Sequence, residues 1–175
     1  MFDKFKSNLN PFPEVDFTQG KSIAHSKSTT SRIMEVLDAN GHGNVHGGVI
    51  LRMADEAAAI VAMKHAQRPV VTARIDRFDF LAPAFIGNVV SINCNLNYVG
   101  RSSLEVAVEV SAEDLFTGEI RMIAVSQITF VALNEEGKPT PVPPLIPANA
   151  EEQIIIDKAI TRRNKLKQIL GNDGQ

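Results

Sequence analysis

The sequence predicts an α+β domain in which one long apolar helix covers one face of an antiparallel sheet. Three observations carry that expectation. Val90, Ile92, Cys94, Leu96 and Tyr98 alternate with Ser91, Asn93, Asn95 and Asn97, and Leu104, Val106, Val108 and Val110 repeat the period of two. Short turn-like links at 99–102 ("VGRS") and 113–119 ("EDLFTGE") join consecutive runs, and hairpin-joined strands are antiparallel. A single long apolar run, ending near His65, is left to cover the sheet.

The elements follow in order. Residues 1–20 are polar, proline-bearing and aperiodic, and read as a loosely held arm. "SIAHSKSTTSRIMEV" is rich in Thr, Ser and Ile and reads as a first strand. A glycine-rich loop leads into the long helix, which Pro69 forbids from continuing. "PVVTARIDRFDF" starts β-branched and reads as a strand, followed by the two alternating runs. "IRMIAVSQITFVAL" is apolar at most positions, so the strand it predicts should be covered on both faces. "NEEGKPTPVPPLIP" leaves the sheet as extended, polyproline-like chain. "AEEQIIIDKAITRRNKLKQIL" predicts a charged helix, either solvated or packed on a neighbouring subunit. The chain therefore divides into an arm (1–20), a domain (21–147) and a charged helical tail (148–175).

Composition sets the outer bounds. The 175 residues suffice for one domain with a sizeable core, and 44% of them are hydrophobic. A net charge of −2 provides no basic footprint for nucleic acid or an anionic membrane, so neither is expected as a partner. No apolar run reaches the ~18 residues that span a bilayer, and the N-terminus lacks the apolar core of a secretory signal. The single cysteine, Cys94, rules out an intrachain disulfide framework and suits a reducing compartment, so a cytoplasmic setting is the expectation.

The helix carries an anomaly. Seven of the eight residues from Ala57 to Lys64 are apolar, which predicts burial on nearly all sides, yet Asp55 and Glu56 precede them directly. Glu56 can pair with Arg52 one turn earlier. Asp55 has only Arg52 as a charged neighbour at helical spacing, and a desolvated carboxylate of this kind is a candidate general base. Ahead of it, Gly47 and Gly48 stand at the helix N-terminus, where backbone N–H groups and partial positive charge favour an oxyanion. Without a Cβ they let a ligand approach the backbone. "GHGNVHGG" fits neither nucleotide-binding glycine motif. His42 and His46 are four apart, but the glycine between them and the lack of a third ligand nearby argue against a metal site. His46 is read as orienting the loop and contacting substrate. No serine or cysteine stands in a nucleophile-elbow motif.

These residues carry a resemblance. "DANGHGNVHGGVILRMADEAAAI", then "RIDRFDFLAPAFIGNVV", "GRSSLEV" and "PVPPLIP", are similar to the acyl-CoA thioesterase (acyl-CoA hydrolase) family of the hotdog fold, over residues 28–147. The combination of "GNVHGG" with "DEAA" is the specific part, since "HGG" occurs in many hotdog proteins. The resemblance implies an antiparallel sheet wrapped around one central helix, and dimers with a continuous sheet, commonly assembled into trimers of dimers (hexamers). It implies acyl-CoA as substrate, no separate cofactor, Asn40 and Asp55 as catalytic side chains, and the N–H of Gly47 or Gly48 as the group polarising the thioester carbonyl.

Spacing adds a constraint. Gly47 and Asp55 are eight residues apart, about 12 Å along a helix at 1.5 Å per residue, too far for one thioester carbon to touch both. The site should therefore combine Asn40 and Gly47 of one protomer with Asp55 of its mate. CoA phosphates call for cations and turn amides, and Arg101, Ser102 and Ser103 at the hairpin, with Arg74 and Arg77 on the strand after the helix, are the candidates. Two rival readings share the architecture: a hotdog dehydratase or hydratase using His46 with Asp55, and a non-catalytic acyl-CoA-sensing module.

Overall fold

The computed structural model describes residues 12–172 of the chain. A short helix α1 (Ile23–Ser26) precedes strand β1 (Ser28–Ile33) and a 3-10 turn at Val36–Asp38. Helix α2 (Gly47–Ala66) follows, then β2 (Val70–Phe80), β3 (Val89–Val99), β4 (Ser103–Glu113), β5 (Ile120–Ala132) and helix α3 (Ala150–Asn172). The five strands form one antiparallel sheet in the order β1-β3-β4-β5-β2.

The predicted first strand is shorter than expected. Ile23–Ser26 turns as a helix, and only Ser28–Ile33 pairs, with β3 from Ser28↔Cys94 to Ile33↔Val89. Ser/Thr-rich composition suits both a strand and a turn, and the buried Ile23 and Ser26 anchor the helical turn against the domain. The hairpins stand where expected: Gly100 N–H donates to Ser103 O at 2.8 Å, and Asp114 N–H to Glu119 O at 2.9 Å with Gly118 at φ 73°.

The core forms between α2 and the sheet. Ala54, Ala58, Val61, Ala62 and Ala66 are fully buried, as are Val90, Ile92, Leu96, Val106 and Ile128 opposite them. The small helix side chains let the sheet approach closely, and each fully buried Val, Ile or Leu contributes about 2 kcal/mol. Burial of α2 is less complete than the sequence implied. Arg52, Glu56, Ile60 and Met63 form an exposed stripe, because a single sheet layer covers only one side of the helix. Arg52 and Glu56 do pair across one turn, at 3.7 Å.

β5 is covered on both faces only in its second half. Ile128, Thr129 and Phe130 are buried in succession, whereas Ile120 and Met122 are exposed. Helix α3 docks on this chain's own sheet, over β3 and β4, rather than standing in solvent. Its Arg162 and Arg163 both donate to the Glu105 carboxylate, which is 1% exposed, and Arg163 stacks 4.2 Å above the Tyr98 ring. At the other edge β2 pairs, among the described residues, with β5 alone, leaving an eleven-residue edge with Val71, Ile75 and Phe80 exposed. Such an edge is a template for another strand.

Candidate active site

The loop between the 3-10 turn and α2 is held at both ends. Asp38 O accepts His46 N–H at 2.8 Å, Ala39 bridges Val45, and Asn40 N–H donates to Asn44 O at 2.7 Å. Asn44 in turn bridges Phe85, and Val45 N–H donates to Ala84 O at 2.9 Å. The loop is thus a miniature hairpin, with Gly43 at φ 82° supplying the left-handed residue at its tip. Asn40 Oδ1 faces inward and accepts the N–H groups of His42 (2.8 Å) and Asn44 (3.2 Å). That orientation is dictated by two backbone donors, and it leaves the Asn40 NH2 as the outward-facing donor.

His46 caps α2. Its Nδ1 accepts Gly48 N–H at 2.9 Å, so the neutral ring carries its proton on Nε2. The two glycines are therefore not equivalent. Gly48 N–H is committed to the cap, whereas Gly47 N–H has no acceptor among the described residues. Gly47 also lines a cleft of about 370 Å3 together with Asn40, Ile50, Phe80, Ala84 and Ile123. A Cβ on Gly47 would lie 3.1 Å from Cζ of the Phe80 ring, so a side chain here would crowd the cleft.

Asp55 lies elsewhere. It is half-buried, two turns along α2, and is not among the residues that line the cleft. Its Oδ1 accepts the hydroxyl of Thr72, on β2, at 2.7 Å. The sequence pattern did not single out Thr72, because its link to Asp55 crosses from helix to sheet over seventeen positions. Along β2, Thr72 stands opposite Phe130 near the start of the strand and Phe80 opposite Ala124 at its end. One protomer thus holds Asp55 at one end of its free edge and Asn40 with Gly47 at the other.

The candidate cations divide into two groups. Arg74 pairs with Asp76 at 2.7 Å and Arg77 with Asp79 at 3.4 Å, both on β2. Arg101 is exposed at the β3–β4 hairpin and has no carboxylate partner among the described residues. Ser102 and Ser103 flank it, and the register Ser103↔Val131↔Val71 puts this hairpin at the Asp55 end of the sheet.

Comparison with known proteins places this geometry in context. The profile of the thioesterase superfamily matches residues 42–117. An uncharacterized acyl-CoA thioester hydrolase of Bacillus subtilis is 39% identical over 155 residues, covering 89% of this chain and 87% of the relative. The chain belongs to the acyl-CoA thioesterase family. Its fold is the hotdog of that family. An apo-hexameric acyl-CoA thioesterase superposes with a TM-score of 0.82 at 37% identity, covering 87% of this chain and 97% of the other. Longer cytosolic mammalian members are covered over 37% of their length.

An acyl-CoA hydrolase of Staphylococcus aureus, solved with butyryl coenzyme A, coenzyme A and coenzyme A disulfide, superposes at 0.77 with 39% identity over 87% of this chain and 94% of that one. Alanine variants of that enzyme replace one asparagine, one aspartate and one threonine. The asparagine precedes the aspartate by fifteen positions and the threonine follows it by seventeen, the spacing that Asn40, Asp55 and Thr72 repeat in this family member.

Proposed function

We propose that this protein hydrolyses acyl-CoA to a free carboxylic acid and CoA, at a site shared between two protomers. The observation that carries the reading is the division described above. Asn40 and a Gly47 N–H without an acceptor among the described residues line one cleft, while Asp55 stands outside it, held by Thr72 toward the far end of β2. A two-fold pairing of β2 edges is antiparallel, so the Thr72 end of one strand lies beside the Phe80 end of its mate. That arrangement brings Asp55 of one protomer toward the Asn40–Gly47 cleft of the other.

The chemistry follows from what each group has left to give. The thioester oxygen takes the Gly47 N–H and the Asn40 NH2, and one such donor is worth roughly 3 kcal/mol to the oxyanion. Thr72 occupies Asp55 Oδ1 and leaves Oδ2 to accept a proton from water, whose oxygen adds to the thioester carbon. Collapse of the tetrahedral oxyanion breaks the C–S bond and releases the CoA thiolate, which takes up the proton. Direct attack by Asp55, through a mixed anhydride that water then opens, uses the same geometry. A thiolate departs readily, so neither a general acid nor a cofactor is required. Arg101, with the amides of Ser102 and Ser103, receives a CoA phosphate, and Arg74 and Arg77 exchange their weak surface pairs for the same purpose.

The dehydratase reading loses support from the cap: with Nδ1 holding Gly48 N–H and the proton on Nε2, His46 has no free basic nitrogen. Further self-association of dimers into a trimer of dimers is supported by the hexameric relative, and a cytoplasmic setting by the cytosolic ones. No helix among the described residues is long and apolar enough to cross a membrane. The test is CoA-thiol release across acyl-CoAs from acetyl to palmitoyl. Asp55→Ala and Asn40→Ala are each expected to lose about 100-fold or more in turnover, and undiminished release by Asp55→Ala refutes the assignment.

A further inference from the structure

Of the two groups assigned to the cleft, Asn40 comes from the loop and Gly47 from the first position of α2, yet both must be held to a fraction of an ångström. Asp38 stands at the start of that loop and is bonded across it to His46, the residue before Gly47. It is 8% exposed, and its carboxylate is fully engaged: Oδ1 accepts the Arg32 guanidinium at 2.9 Å, and Oδ2 accepts Glu35 N–H at 2.8 Å. Its backbone carbonyl holds His46 N–H at 2.8 Å, which sets the capping residue immediately before Gly47. Asn40 stands two positions after it, inside the span that the Asp38–His46 bond closes. Arg32 is anchored in turn: it projects from β1, paired with Val90, and its Nη2 also reaches Met53 Sδ of α2 at 3.6 Å. The guanidinium therefore ties the loop's first residue to both the sheet and the helix.

We infer that Asp38, clamped by Arg32, is a positioning residue that sets the relative placement of Asn40 and Gly47 in the cleft. It touches no reacting atom. Its effect passes through the 3-10 turn to Asn40 and through His46 to the Gly47 N–H. Loss of the carboxylate frees Glu35 N–H and Arg32, and the loop gains the freedom to shift by the distance that matters for an oxyanion donor. Asparagine in its place keeps an acceptor for one of the two donors. The Arg32 guanidinium first, then the Glu35 N–H and last the charge of Arg52 on α2, hold the Asp38 carboxyl below the usual carboxylate range.

The inference rests on the site assignment proposed above, and the experiment separates the two. Turnover and KM for an acyl-CoA are measured for Asp38→Ala, Asp38→Asn, Arg32→Gln, Asn40→Ala and the Asp38→Ala/Asn40→Ala pair, each corrected for its folded fraction. Asp38→Ala is expected to lower kcat by roughly 10- to 100-fold with KM within about threefold of the parent. Asp38→Asn should recover most of that loss. In the double variant the losses should not multiply, because both act through one group. Should Asp38→Ala fold poorly, Arg32→Gln decides the matter, with a several-fold drop in kcat expected. Unchanged kcat in Arg32→Gln and Asp38→Ala, a loss explained by unfolded protein alone, or fully multiplicative losses each overturn the inference. If Asn40→Ala keeps full turnover, the site assignment itself fails. If Asn40→Ala is inactive while the Asp38 variants are not, only the positioning inference falls.

Discussion

Mixing two dead variants tests the shared site most directly. Asn40→Ala removes a group from the cleft of its own protomer, and Asp55→Ala removes the acid offered to the mate. In a homodimer of either variant both sites are defective. In a heterodimer one site carries both lesions and the other carries none. Random exchange at equal concentrations gives heterodimers as half of all dimers, so about a quarter of all sites are intact by two-fold symmetry. The structure supports this arithmetic because Gly47 and Asp55 are separated by about 12 Å of helix, and Asp55 does not line the Asn40–Gly47 cleft. The assay is CoA-thiol release after co-refolding the two variants, with native mass spectrometry confirming the mixed species. Recovery near about 25% of parental turnover is expected. Recovery at the background of the separate variants, in a sample shown to contain heterodimers, refutes the shared site and returns Asp55 to its own protomer's cleft.

Three further outcomes are expected. Gly47→Ala places a methyl 3.1 Å from the exposed Phe80 ring, which has room to swing aside. Thermal stability should therefore hold within ~1 kcal/mol while turnover falls sharply, and a fully active Gly47→Ala enzyme would show that the cleft is not where the thioester sits. Glu105→Ala removes the buried carboxylate that Arg162 and Arg163 share. Because Arg162 is 43% exposed and stays solvated, the loss should be about 2–3 kcal/mol, read as a lowered denaturation midpoint together with faster proteolysis within α3. His65 is fully buried, and burial, aided by the charges of Lys21 and His25, pushes its pKa down to about 4 against the pull of the Pro143 carbonyl on Nε2. The folded protein thus favours the neutral ring, so this contribution is complete above the unfolded value of 6.5 and is lost as pH falls toward 4. The loss amounts to at most about 3 kcal/mol. Urea denaturation at stepped pH should show a decline that His65→Gln flattens, and equal slopes for both proteins would exclude His65 as its source.

Much of the architecture was legible because local periodicity and turn chemistry act over a few residues. The alternation in β3 and β4, the two hairpins and the stop of α2 near Pro69 all stand where the pattern put them. The pattern failed where a distant element decides the environment. Glu105 and Glu109 occupy equivalent polar positions of β4, yet Glu105 is buried and Glu109 exposed, because α3 crosses one of them and supplies two arginines. The start of the chain failed for the opposite reason: Ser/Thr-rich residues have weak preferences, and packing of Ile23 and Ser26 settled a helical turn.

The same division runs through the candidate site. Residues 38–60 already carry the inventory: a glycine-rich helix start, an asparagine ahead of it, an acid two turns in, and the conflict between that acid and its apolar surroundings. Spacing alone was enough to separate Gly47 from Asp55, since helical rise is a constant of the backbone. Tertiary structure decided how those groups are disposed. It spent the Gly48 N–H on the His46 cap and left Gly47 unpaired, turned the Asn40 amide outward, and gave Asp55 a hydroxyl partner from β2. Each of these depends on which donors and acceptors meet across elements far apart in the chain, and hydrogen-bond partnership at that range is set by packing rather than by any local preference.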